Sequence, residues 1–167
     1  MEEDSIHLSQ RMFEHACAFC DCARSCEIEP NNIEYRMHSH TVAGLVNSAF
    51  ACEVFIKLLL VYHGRTVTEI KAIKHKLKGL WDEFKKEDYE TALFVEKNMR
   101  EWFNSEDTGM FDRLLNEASN AFEYWRYIYE KESGRINLNF LRGFRLMLRE
   151  ICCKQLFGMS WEDYKKR

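Results

Sequence analysis

The stretch CAFCDCARSC, residues 17–26, sets Cys17, Cys20, Cys22 and Cys26 at spacings that suit thiolate chemistry. A C-x-x-C pair is the usual first half of a zinc site, and close thiols also form redox pairs. Helical geometry argues against one ion gathering all of them, because Cys17 and Cys20 lie roughly 60° apart around a helix while Cys22 lies roughly 160° from Cys20. A tetrahedral site would need ligands from another segment, with Cys152 and Cys153 the obvious donors. Cys20 falls on an apolar stripe and Cys17 flanks it, so both read as small core residues, and neither a metal nor another cofactor is expected.

A second pattern lies in AFACEVFIKLLLV, residues 49–61, where Glu53 and Lys57 are the only charges. They stand at i and i+4 with the acid first, the favourable order on a helix. The surrounding residues are apolar in nearly every direction, which makes the helix a central one and its charges costly unless paired. Glu53 and Lys57 therefore read as a structural ion pair. Arg126, at the edge of the Phe122, Trp125, Tyr129 stripe, is the natural third member. Its guanidinium could bind Glu53 in a bidentate way or point outward at a phosphate.

Basic side chains recur at helical spacing in two more places. Arg142, Arg145 and Arg149 form a stripe toward the C-terminus, and Lys71, Lys74, His75 and Lys78 occupy one side of an earlier segment. Either set could track a phosphate backbone without sequence selectivity, and either could be a solvated helix face.

The elements that must position these groups read as helices. The chain has 167 residues, of which 46% are apolar and 14% aromatic, with one proline and seven glycines. That composition fits one all-α domain over residues 1–167, an antiparallel bundle of about five to six helices. The expected helices run over about 5–24, 38–63 ending at Gly64, 68–84 with Thr68 as cap, 89–103, 111–129 and 138–157. Ser160 and Asp163 should cap a short last turn. A formal net charge of −3 gives no general bias toward nucleic acid, so any such contact must come from a local patch. The acidic, polar start MEEDSIHLSQ does not resemble a signal peptide, and with seven cysteines the reading is a reducing, cytoplasmic setting. No apolar run approaches the length of a membrane span, the longest being Ala49 to Val61 with two charges in it.

Three stretches together, NSAFACEVFIKLLL, KHKLKGLWDEF and FEYWRYIYE, resemble the HEPN superfamily of small helical nucleotide-binding bundles. The matching positions are Glu53 and Lys57; His75, Leu77 and Leu80; and Arg126 with Tyr127. The resemblance implies a HEPN-like core over about 40–157 with the helix at 5–25 packed on it. It also implies a homodimer, and RNA or nucleotide as ligand in a prokaryotic phage-defence or toxin–antitoxin setting, with an antitoxin or other protein partner. Active members cleave RNA without metal through Arg-x(4–6)-His, which would make Arg126 the catalytic arginine. Lys131, Glu132 and Ser133 stand where the histidine should fall. None of these is a ready proton carrier near neutral pH in the way imidazole is, so nuclease activity is not expected. The expected binding residues are Arg126, Tyr127 and His75 from the resemblance, together with Lys71, Lys78, Arg142, Arg145 and Arg149 from the basic spacing. Two alternatives remain: a homodimeric interaction or regulatory module with a purely structural Glu53, Lys57 and Arg126 network and exposed aromatics such as Trp102 or Trp161, and a ribonuclease with displaced catalytic groups.

Overall fold

A computed structural model describes residues 2–28, 34–126 and 136–167, without the side chains of residues 2–5, 28, 34–39, 122, 123 and 126. The regular elements among them are all helical: α1 (Glu2–Ile28), α2 (Glu34–Tyr62), α3 (Val67–Ala72), α4 (Leu77–Glu87), α5 (Tyr89–Trp102), α6 (Met110–Glu117), α7 (Ala121–Arg126), α8 (Leu138–Phe157) and α9 (Trp161–Tyr164). The all-α expectation holds for these residues.

α2 is the hub. It packs along α1 and touches α8, α7 and α4. Ala51, Cys52, Phe55, Ile56, Leu58, Leu59 and Leu60 are all fully enclosed, so most of its circumference is core. Facing it are Phe13, Ala16 and Cys20 of α1, Trp81 and Phe84 of α4, and Phe140, Phe144 and Leu148 of α8. One expectation needs correction here, because His40–Tyr62 is a stretch of 23 residues long and apolar enough by length and composition to cross a membrane. Of its most apolar window, 72% is buried inside the fold, where α1, α4, α7 and α8 supply the apolar surroundings.

The chain leaves α2 through Gly64, whose φ of +92° lies in the left-handed region. Arg65 N–H donates to the Leu60 carbonyl and Gly64 N–H to that of Val61, both at 3.0 Å, the pairing of a Schellman motif. The cap of α3 lies two residues earlier than expected. Thr66, not Thr68, is its cap: the Thr66 hydroxyl accepts from Glu69 N–H at 3.3 Å, and the Glu69 carboxylate accepts from Thr66 N–H at 2.8 Å.

Two helices expected to be continuous are broken, and the breaks serve each other. The third ends at Ala72 and restarts at Leu77 after Lys74 takes a φ of +61°. The fifth ends at Glu117 and restarts at Ala121. α4 has no side-chain cap of its own at Lys76. Instead, Leu77 N–H donates to the Ser119 carbonyl at 3.0 Å and Lys78 N–H to the Ser119 hydroxyl at 3.3 Å. The interruption between α6 and α7 thus satisfies amide groups that every helix start leaves open.

Candidate functional site

Glu53 sits on the buried face of α2 with its side chain 2% exposed. Its Oε1 accepts from Lys57 Nζ at 2.6 Å and from His75 Nδ1 at 2.8 Å, a contact that requires the proton on Nδ1. Lys57 follows one turn later on the same helix, as the i, i+4 spacing demands. His75 arrives from the loop between α3 and α4, 22 positions on. Oε2 is enclosed and has no hydrogen-bond partner among the described residues. The cluster grades outward, with Glu53 enclosed, Lys57 18% exposed and His75 42% exposed. A buried carboxylate here anchors a half-exposed imidazole and a lysine at the edge of the bundle.

The break in the third helix matters for charge as well as for capping. Lys71 lies at the end of α3, Lys74 and Lys76 lie in the loop beside His75, and all three lysines are exposed. None has an acidic partner among the described residues, whereas most lysines of the described chain are paired. Lys78, expected on the same face, is on α4 and is held by Asp82 at 2.5 Å and Asp112 at 3.0 Å. The single helix face expected for Lys71, Lys74, His75 and Lys78 is therefore corrected: a left-handed Lys74 separates Lys71 from Lys78, and Lys76 joins the cationic surface in place of Lys78.

The arginine stripe of α8 is corrected more deeply. Arg145 is 1% exposed, with Nη1 on Glu27 Oε1 at 2.7 Å and Nη2 on Glu27 Oε2 at 3.0 Å, a bidentate clasp on the last turn of α1. Nη1 also meets the Ser48 hydroxyl of α2. Burial works to lower its pKa, but the Glu27 hydrogen bonds and charge outweigh it and hold the guanidinium above its ordinary value. Arg149, 8% exposed, reaches Asp21 at 3.4 Å and stacks over the Trp161 ring at 4.2 Å. Only Arg142 stays open, 55% exposed and 3.6 Å from Glu27. Arg145 and Arg149 fasten α1 and α9 onto α8 and present no phosphate-binding row.

The thiols divide as helical geometry requires. Cys17, Cys20, Cys52, Cys152 and Cys153 are buried and Cys22 is exposed, all without disulfides. Burial raises the thiols of the buried set above the ordinary value, with Cys17 pushed up to about 12, which disfavours the thiolate needed for metal or redox chemistry. Among the described residues no group of three or more His, Cys, Asp or Glu is placed to hold a metal ion.

Arg126 ends α7, which packs on α2, but its side chain lies outside the described residues, as do Tyr127, Lys131, Glu132 and Ser133. No protein-family model, curated protein or solved structure matches the chain. The site therefore rests on its own geometry. Sequence reasoning missed Lys76 and Ser119. The first carries no signal once a continuous helix is assumed, while Ser119-Asn120 is a weak turn signal that the surrounding apolar stripe masks.

Proposed function

We propose that the chain is a HEPN-like RNA- or nucleotide-binding protein that contacts phosphate through the loop between α3 and α4 and works in a prokaryotic defence or toxin–antitoxin type of system without cleaving RNA. The observation that supports it is the exposed cationic group Lys71, Lys74 and Lys76, without acidic partners among the described residues, around His75, itself tied to the buried Glu53. Unpaired ammonium groups clustered on one loop attract a polyanion even on a chain whose formal net charge is −3. His75 and Lys57 bring further donors to the same edge, and α7, which ends at Arg126, packs on α2. Arg142 remains an accessory contact, whereas Arg145 and Arg149 serve the fold.

Fluorescence anisotropy with a short single-stranded RNA tests this reading. Binding that weakens steeply with salt, and is lost when Lys71, Lys74 and Lys76 are all changed to Glu, is the expected result. Salt-independent binding, or none by the native chain, would overturn it. Cleavage abolished by Arg126→Ala would replace it with the ribonuclease reading.

An interaction module is the second reading, and α5 favours it. Tyr89, Phe94 and Trp102 are 55%, 49% and 51% exposed on that helix. Trp161, the other expected contact, is instead covered by Arg149 and packs near Phe13. Sedimentation velocity on the native chain and on Phe94→Ser with Trp102→Ser separates the readings: a dimer that dissociates supports α5 as an interface, and a native monomer removes it.

A further inference from the structure

A cleft of about 410 Å³ opens where α1, α8 and α9 meet, lined by Gln10, Glu14, Phe157, Tyr164 and Arg167. Its floor is built before any ligand arrives. Phe157 and Tyr164 lie 4.7 Å apart between ring centroids, and both rest on Phe13 at 5.3 and 5.4 Å in edge-on contact. Packing of this kind fixes ring planes, so the wall offered to a ligand is rigid and aromatic.

The polar groups around that wall are uncommitted. Glu14 and Arg167 have no ion-pair partner among the described residues and do not pair with each other. The charges that flank the cleft do pair, Glu150 with Lys154, Glu162 with Lys165 and Asp163 with Lys166. Burial raises the Tyr164 phenol above its ordinary pKa, with the Glu14 charge adding to the shift and Arg167 opposing it, and all three residues line the same cleft. The volume falls within the range of small-molecule sites, which combine an apolar wall with a few convergent polar groups.

We propose that this cleft binds a small amphoteric aromatic molecule, with its flat ring against Phe157 and Tyr164, an amino or ammonium donor on Glu14 and an anionic group on Arg167. Gln10, one turn before Glu14 on α1, adds an amide that can donate and accept at the ring edge. A nucleoside monophosphate and an aromatic amino acid share this chemistry. The site is separate from the lysine loop and does not depend on RNA binding.

Isothermal titration of the native chain with adenosine monophosphate and with phenylalanine, each at millimolar concentration, is the test. Saturable binding of either probe, weakened about tenfold or more by Arg167→Gln and by Glu14→Gln, is expected. Binding of the nucleotide alone assigns the anion as phosphate, and binding of the amino acid alone assigns it as carboxylate. Both substitutions are at exposed positions, so the melting temperature should stay unchanged. The proposal is overturned if neither probe binds, or if the double variant binds as tightly as the native chain. The same titration on the Lys71, Lys74 and Lys76 variant should match the native result, which keeps failure of this site distinct from failure of the RNA reading.

Discussion

Truncating Glu27 to Ala should destabilise the fold more than replacing Arg145 by Met, although Glu27 is the more exposed partner. The Arg145 side chain is 1% exposed and that of Glu27 is 29% exposed. Glu27→Ala leaves an enclosed guanidinium without its carboxylate, with the Ser48 hydroxyl and the Cys20 thiol as its remaining close partners. Removing one partner of a buried pair costs about 3–5 kcal/mol when the other cannot rehydrate. Arg145→Met strands a carboxylate that water can reach, and the thioether chain fills much of the guanidinium's volume. Ser48 keeps its 2.7 Å bond to the Gly44 carbonyl. Loss of the charge-assisted bonds is then partly offset by removal of a buried charge, and a cost of about 1–2 kcal/mol follows. The double variant should fall close to Arg145→Met alone, because nothing charged remains buried, so the two changes should couple by about 3–5 kcal/mol, the cost of Glu27→Ala itself. Equilibrium urea unfolding measures all three, and for a chain of this length each kcal/mol moves the melting point by about 2–4 °C. Equal costs for the single variants, or simple additivity in the double, would refute the reasoning.

Asp88 caps α5 through Thr91 N–H at 3.0 Å, accepts from Gln155 at 3.1 Å and lies 3.5 Å from His63. Burial works against its charge, but the Thr91 hydrogen bonds outweigh that, with His63 and Gln155 adding, and hold its carboxyl below the ordinary aspartate value. Its stabilisation is present above the unfolded value near 3.9 and is lost as pH falls through the lower folded value. Urea midpoints should therefore be higher for native than for Asp88→Asn at pH 7 and converge in acid; a constant difference would contradict this. Cys22 should be the fast-reacting thiol toward a disulfide reagent, with Cys17, Cys20, Cys52, Cys152 and Cys153 reacting only after unfolding. Cys26 is half-buried, so a fast phase that survives Cys22→Ser combined with Cys26→Ser in the native state would show that the core thiols are open. At Gly44 a Cβ would sit 3.2 Å from Cys26 Cβ, an atom tied to the α1 backbone. Gly44→Ala should then cost about 1–2 kcal/mol in spite of alanine's better helix propensity, and a stabilised variant would show that α1 moves aside freely.

Periodicity exposed most of the fold because long amphipathic stretches leave no alternative. α8 spans Leu138–Phe157 as expected, and Ser160 caps α9 by accepting from Asp163 N–H. The breaks at residues 73–76 and 118–120 were not legible, since no glycine or proline marks either one. They exist because Ser119 caps α4 and His75 reaches Glu53, both contacts between segments distant in sequence. The Thr66-x-x-Glu69 capping box was legible and overlooked in favour of Thr68. Glu53 with Lys57 could be read from their spacing in an apolar run. The fate of the arginines could not, because whether a stripe faces solvent depends on what packs over it, and the acids that cover it, Asp21 and Glu27, lie on α1 more than a hundred residues away.

The lysine loop is the centre of the functional account, and the salt slope of RNA affinity tests it most directly. Each phosphate contact on single-stranded nucleic acid adds about 0.7 to the slope of log affinity against log salt. Changing Lys71, Lys74 and Lys76 to Glu should remove about 2 from that slope, whereas Arg142→Glu should remove less than 1. Native and loop-variant slopes that coincide, with affinity unchanged, would contradict the account.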